Sequence, residues 1–108
     1  MKYLTQLLEG PKDAFDELSY VYHYRRPENV QAPYAVWTEQ NDDSFNSDNR
    51  KSERALDGTL EFFTKQPDGK LDELEKAMES FGASWSLSAV QFEPDTNLIH
   101  YSWDWSCT

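Results

Sequence analysis

Residues 54–81 read Arg-Ala-Leu-Asp-Gly-Thr-Leu-Glu-Phe-Phe-Thr-Lys-Gln-Pro-Asp-Gly-Lys-Leu-Asp-Glu-Leu-Glu-Lys-Ala-Met-Glu-Ser-Phe, and the fold follows from this stretch. Leu56, Leu60 and Phe62 recur at period two with Gly58 between them, while Asp57, Thr59 and Glu61 take the alternate positions. That alternation predicts a half-buried strand. Pro67-Asp68-Gly69 predicts a turn: Pro presets φ, Asp bonds back to the backbone, and Gly takes φ > 0. After it, Leu71, Leu74, Met78 and Phe81, with Ala77 beside them, make one apolar stripe on a helix beginning at Lys70. Asp72, Glu73 and Glu75 suit the positive end of its dipole, and Gly82 stands where a helix closes. Strand and helix each have one apolar side, so they bury those sides against each other.

Outward from this unit, residues 1–9 place Tyr3, Leu4, Leu7 and Leu8 at helical spacing, and Gly10-Pro11 predicts the end of that helix. Residues 18–25 alternate Leu18, Tyr20, Tyr22 and Tyr24 against Ser19, Val21, His23 and Arg25, a strand stopped by Pro27. Residues 34–39, Tyr-Ala-Val-Trp-Thr-Glu, are rich in β-formers. Residues 40–52 are polar apart from Phe45, an exposed loop of a length that is usually functional or disordered. Past the helix, Trp85, Leu87 and Ala89 alternate with serines and lead to Val90 and Phe92. A turn follows at 93–97, with Pro94 suited to its second position. The return strand sets Ile99, Tyr101, Trp103 and Trp105 on one face and His100, Ser102 and Asp104 on the other. The sum is one α+β domain over residues 1–108: an antiparallel or mixed sheet of about five strands with two helices packed on it.

The chain has 20 acidic and 10 basic residues among 108, a net charge of −10. Binding along a nucleic-acid backbone needs Lys and Arg to displace counterions, so this balance disfavours DNA, RNA and anionic membrane surfaces. The single cysteine, Cys107, makes no internal disulfide, which suits a reducing compartment, and its place near a fraying end argues against catalysis. The sequence suggests no signal peptide and no membrane span.

Chemical constellations are sparse. His23 and His100 lie on expected strands, and His100 with Asp104 suggests a general base or a metal ligand pair. Four residues of strand separate that pair by about 13 Å, so surface histidines are the simpler reading. With Asp42 as position 1 of a calcium loop, Ser44, Asn46, Asp48 and Glu53 fall at ligand positions. Ser47 then occupies the glycine position and Arg50 puts a cation near the ligands, so the pattern reads as an accident of a polar loop. Four glycines in all leave no phosphate cradle. Neither a cofactor nor catalysis is expected. Tyr20, Tyr22 and Tyr24 beside Arg25 and Arg26 offer a base-stacking platform, yet core packing explains them more simply. Trp37, Phe45, Trp103 and Trp105 look surplus to one sheet face and suit protein contact.

The segments Pro-Tyr-Ala-Val-Trp-Thr-Glu (33–39), Leu-Asp-Gly-Thr-Leu-Glu-Phe-Phe-Thr-Lys (56–65) and Val-Gln-Phe-Glu-Pro-Asp-Thr-Asn-Leu-Ile-His-Tyr-Ser-Trp-Asp-Trp (90–105) resemble small neck and tail-completion proteins of long-tailed bacteriophages and prophages, above all the tail terminators. The resemblance covers nearly the whole chain in order of elements. It implies a structural virion protein: a closed ring, commonly a hexamer, that caps the tail tube and meets the head connector, with DNA passing through the lumen unbound. Location would be the virion neck, and the host cytoplasm during assembly. On this view Trp37, Asp42, Asp43, Phe45, Asp48, Arg50, Trp103 and Trp105 are expected at subunit contacts. An acidic lumen would not hold passing DNA; solubility alone explains the charge equally well. A different class, an acidic DNA-mimicking inhibitor of a DNA-binding protein, would need carboxylates at phosphate-like spacing. The densest runs, Asp42-Asp43 and residues 72–79, are modest.

Overall fold

The computed structural model describes residues 4–40 and 55–108. Its elements are α1 (Leu4–Asp16), β1 (Val21–His23), β2 (Tyr34–Gln40), β3 (Leu56–Thr64), α2 (Lys70–Ser80), β4 (Ser84–Glu93) and β5 (Leu98–Cys107). The five strands form one sheet in the order β1-β2-β3-β5-β4. β1 and β2 run parallel and every other neighbouring pair is antiparallel, giving an α+β fold. β3 is central, as its alternation requires: Leu56, Leu60 and Phe62 are fully buried, and Asp57 is exposed on the other face.

The turn and helix after β3 form where expected, but Gly69 takes φ −63° and not the expected positive φ, because as the N-cap of α2 it is already in the right-handed helical conformation. Asp68 Oδ1 accepts the Lys70 N–H at 2.8 Å. Leu74 and Met78 are fully buried, with Leu71 and Phe81 packed beside them. At the C-terminus Gly82 takes φ +80°, the Ala83 N–H reaches the Met78 carbonyl at 3.1 Å, and the Gly82 N–H reaches Glu79 at 3.0 Å. These are the paired bonds of a left-handed helix stop.

Several other elements depart from the sequence expectations. Helix α1 continues through Gly10-Pro11 to Asp16. A proline inside a helix costs about 3 kcal/mol or more, but Leu7, Pro11 and Phe15, four apart, all turn into the core. Gly10 serves the same packing. A Cβ there would lie 2.9 Å from the Phe81 Cβ, so its absence lets Phe81 sit against the helix. Next, the strand expected over 18–25 shrinks to Val21–His23. Leu18 is tied to α1 through its N–H to the Phe15 carbonyl at 3.0 Å. Val21, from the set opposite the tyrosines, is the residue buried.

The tryptophans also lie elsewhere than expected. Trp37, Trp103 and Trp105 are 2%, 1% and 2% exposed, so they are core rather than contact surface. A sheet with two helices on one face has a thick apolar layer, and large rings fill it: Trp37 lies 5.3 Å from Phe15, and Trp105 meets Phe81 edge-on at 5.4 Å. Cys107 likewise is no frayed end. It is buried and pairs with Leu56 at the end of β5.

β4 carries a bulge. Leu87 faces Trp103 and Ala89 faces Ser102, so Ser88 is the extra residue. The bulge explains the phase change in the sequence. Trp85 and Leu87 before it, and Val90 and Phe92 after it, share the helix-bearing face.

Candidate interaction surfaces

The sheet face away from the helices carries an aromatic row across its upper end. Tyr34 of β2, Phe63 of β3 and His100 of β5 are cross-strand neighbours. Tyr34 stacks on Phe63 at 4.9 Å, and Phe63 on His100 at 4.2 Å. The Arg26 guanidinium lies over the Tyr34 ring at 5.1 Å, which extends the row with a cation. All three ring residues are half-buried. Beside them is a hollow of about 240 Å³ lined by Arg26, Tyr34, Phe63, Lys65, Glu93 and Leu98. Its aromatic floor and two cations contrast with a chain of net charge −10.

His100 is held by carboxylates from two neighbouring strands. Its Nε2 lies 3.0 Å from Glu61, and its Nδ1 lies 3.4 Å from Glu93. Asp104, suggested by spacing alone, is not a partner shown for it. The partners that count come from β3 and β4, and they become visible only once strand register is known.

A second cluster lies on the opposite face, where β1 meets β2. His23 does not stand clear of the large aromatics: it stacks on Trp37 at 3.8 Å and on Tyr24 at 3.9 Å. Its Nε2 is 2.7 Å from Glu39 Oε1, and the Tyr24 hydroxyl donates to Glu39 Oε2. Tyr24 holds φ +75°, an uncommon conformation for a bulky residue, fixed by its N–H to the Trp37 carbonyl at 2.9 Å. Burial alone would raise the Glu39 carboxyl, but the hydrogen bonds from Tyr24 and His23 outweigh it and hold its pKa below the ordinary value. A depressed folded value means stability that is present above the ordinary glutamate pKa, about 4.3, and lost as pH falls through the folded one. Glu39→Gln is therefore expected to lower the melting temperature at pH 7, with a deficit that shrinks as pH falls below the ordinary glutamate range and the wild-type carboxylate is protonated. A deficit that does not change with pH would show that the charge of Glu39 contributes nothing.

On the helix side, acids of α2 are tied to rings of the sheet and of the turn that precedes β1. Tyr20 donates to Glu73 at 2.6 Å, Trp103 Nε1 to Glu75 at 3.1 Å and Trp85 Nε1 to Glu79 at 3.4 Å. Asp13, Asp16, Glu17 and Asp72 remain exposed on the same layer. The tyrosines of the suggested stacking platform separate: Tyr20 packs toward the core, and Tyr24 is 58% exposed on the Glu39 cluster.

Asp42, Asp43, Phe45, Asp48 and Arg50, and the calcium-loop pattern through Glu53, lie outside the described residues. Among the described residues, no three His, Cys, Asp or Glu side chains are grouped to hold a metal ion. No described helix is long and apolar enough to cross a membrane. No protein-family model matches the chain, and no curated protein matches its sequence.

Proposed function

We propose that this protein is a ring subunit of the neck of a long-tailed phage or prophage particle, a tail terminator that caps the tail tube and meets the head connector. The observation that supports it most is the chemical contrast between the two sides of the sheet. One side carries no described helix and presents the stacked row of Tyr34, Phe63 and His100 beside Arg26 and Lys65, with Asp57, Glu61, Glu93 and Asp104 on the same face. The other carries both helices, with Asp13, Asp16 and Asp72 exposed on them and Glu17 exposed just after α1. Head-to-tail ring closure uses two unlike patches on each subunit, one receiving the other. The order of elements, shared with the tail-terminator resemblance, supports the same reading. The DNA-mimic alternative draws less support, because Glu73, Glu75 and Glu79 are engaged by Tyr20, Trp103 and Trp85.

A six-membered ring would carry about 6 × −10 = −60 charges. Salt should favour closure, since the Debye length falls from roughly 30 Å at 0.01 M to roughly 10 Å at 0.1 M. Sedimentation is expected to show monomer in dilute, low-salt buffer, and ring-sized species at higher concentration, higher salt or with tail-tube protein. The double variant Arg26→Glu/Lys65→Glu changes exposed side chains only, so its melt should stay near wild type while ring assembly weakens at least tenfold. Monomer under every condition, tail-tube protein included, would refute the ring.

A further inference from the structure

Strand β4 is an edge of the sheet: it bonds to β5 on one side and, among the described residues, to no strand on the other. Folded proteins guard such edges with charges, prolines, bulges or covering elements, because open N–H and C=O groups recruit another strand. Here no charged residue stands between Glu79 and Glu93, in a chain that is 28% charged. The bulge at Ser88 breaks only the first half of the strand, and Ala89 to Glu93 run in unbroken register with β5.

The side chains of this edge are equally unguarded. Leu87, Val90 and Phe92 are 47%, 51% and 59% exposed. By register they stand on the helix-bearing face, opposite Trp103, Tyr101 and Ile99. Of the apolar side chains on β4, only Trp85 packs against the core. Beyond Trp85 the helix layer stops short and leaves an apolar step along the edge.

We infer that the occupant of this edge is β4 of a second copy of the chain, paired antiparallel about a two-fold axis at Gln91. An axis perpendicular to the sheet keeps the helices of both copies on one side. It places Val90 opposite Phe92 of the partner subunit and, by symmetry, Phe92 opposite the partner's Val90. Each exposed row thus covers the other in the trough between the two helix layers. Ala89 then faces the partner's Glu93, so no like charges meet across the new ladder. Two chains of net charge −10 repel over most of their surfaces, and the uncharged edge is where strands can approach with least repulsion. Five paired residues per copy make a small interface, so the dimer is weak and concentration-dependent. This pairing does not rest on the ring reading.

Cysteine crosslinking tests it. Gln91 is exposed, and directly opposed residues on an antiparallel pair have Cβ atoms about 4.5–5.5 Å apart, near disulfide range. Cys107, the native thiol, is buried. Under mild copper-phenanthroline oxidation, Gln91→Cys is expected to give a covalent dimer at least tenfold faster than Ser86→Cys on the same strand. Adding Phe92→Lys should slow the Gln91→Cys crosslink tenfold or more while the melt is retained, because that side chain lies outside the core. Arg26→Glu/Lys65→Glu should leave it unchanged, which separates this dimer from the ring. Equal crosslinking at both positions, no dimer from Gln91→Cys, or insensitivity to Phe92→Lys would overturn the pairing. So would wild type that stays monomeric while an added extended apolar peptide binds β4.

Discussion

Gly58→Ala is expected to abolish the cooperative thermal melt or to lower its midpoint by well over ten degrees. Gly58 is buried near the start of β3, the third of its nine residues, beneath the Trp105 ring. An added Cβ would stand 2.2 Å from Trp105 Cζ2, 2.5 Å from its Cε2 and 2.6 Å from the Thr38 carbonyl oxygen. The carbonyl is ladder backbone of β2, and the ring is held against Phe81 and near Trp37, so neither can give way. Overpacking a core typically costs about 1–3 kcal/mol and sometimes more; a double clash with backbone and a locked indole falls at the upper end. Circular dichroism against temperature is the check. A melt near wild type would mean that Trp105 is free to move.

Leu74→Asp is expected to be at least as severe. Leu74 is fully buried on the face of α2 that meets the sheet, so a carboxylate there is cut off from water. Burying an unpaired charge costs several kcal/mol even after the group neutralises itself, a large part of the roughly 5–15 kcal/mol that holds a domain together. Phe62→Asp, across the same layer, should behave alike. The exposed Asp72→Ala, two residues away on the opposite side of α2, should change the melt by no more than about 0.5 kcal/mol. A cooperative melt in Leu74→Asp near that of wild type would show that the contact between α2 and the sheet is not what stabilises the fold.

Much of the architecture was legible in the residues. Local rules decide β3, the 67–69 turn, α2 with its Gly82 stop and the β4–β5 hairpin, because period two, period 3.6 and turn chemistry each act over a few residues. Even the bulge left a trace, in the change of phase from Trp85 and Leu87 to Val90 and Phe92. The candidate surfaces were far less legible. Tyr34, Phe63 and His100 are scattered over 66 positions of the chain (100 − 34) and meet only because β2, β3 and β5 are neighbours in register. The Glu39 cluster depends on β1 lying parallel to β2, which no short-range pattern announces.

The amino-acid sequence by itself determined the class of fold, the central strand and helix, and an acidic surface poor in chemical motifs, since these follow from side-chain polarity and spacing. Only the tertiary structure decided which aromatics are core and which are surface. Trp37, Trp103 and Trp105 and the exposed Phe92 all sit on strands at apolar positions of the same kind, and what separates them is whether α1 and α2 reach far enough to cover them. Coverage also decided that Gly10-Pro11 continues a helix. The burial of Leu7, Pro11 and Phe15 against distant segments outweighs a local preference for a break, and local reading contains no term for contacts made by the rest of the chain.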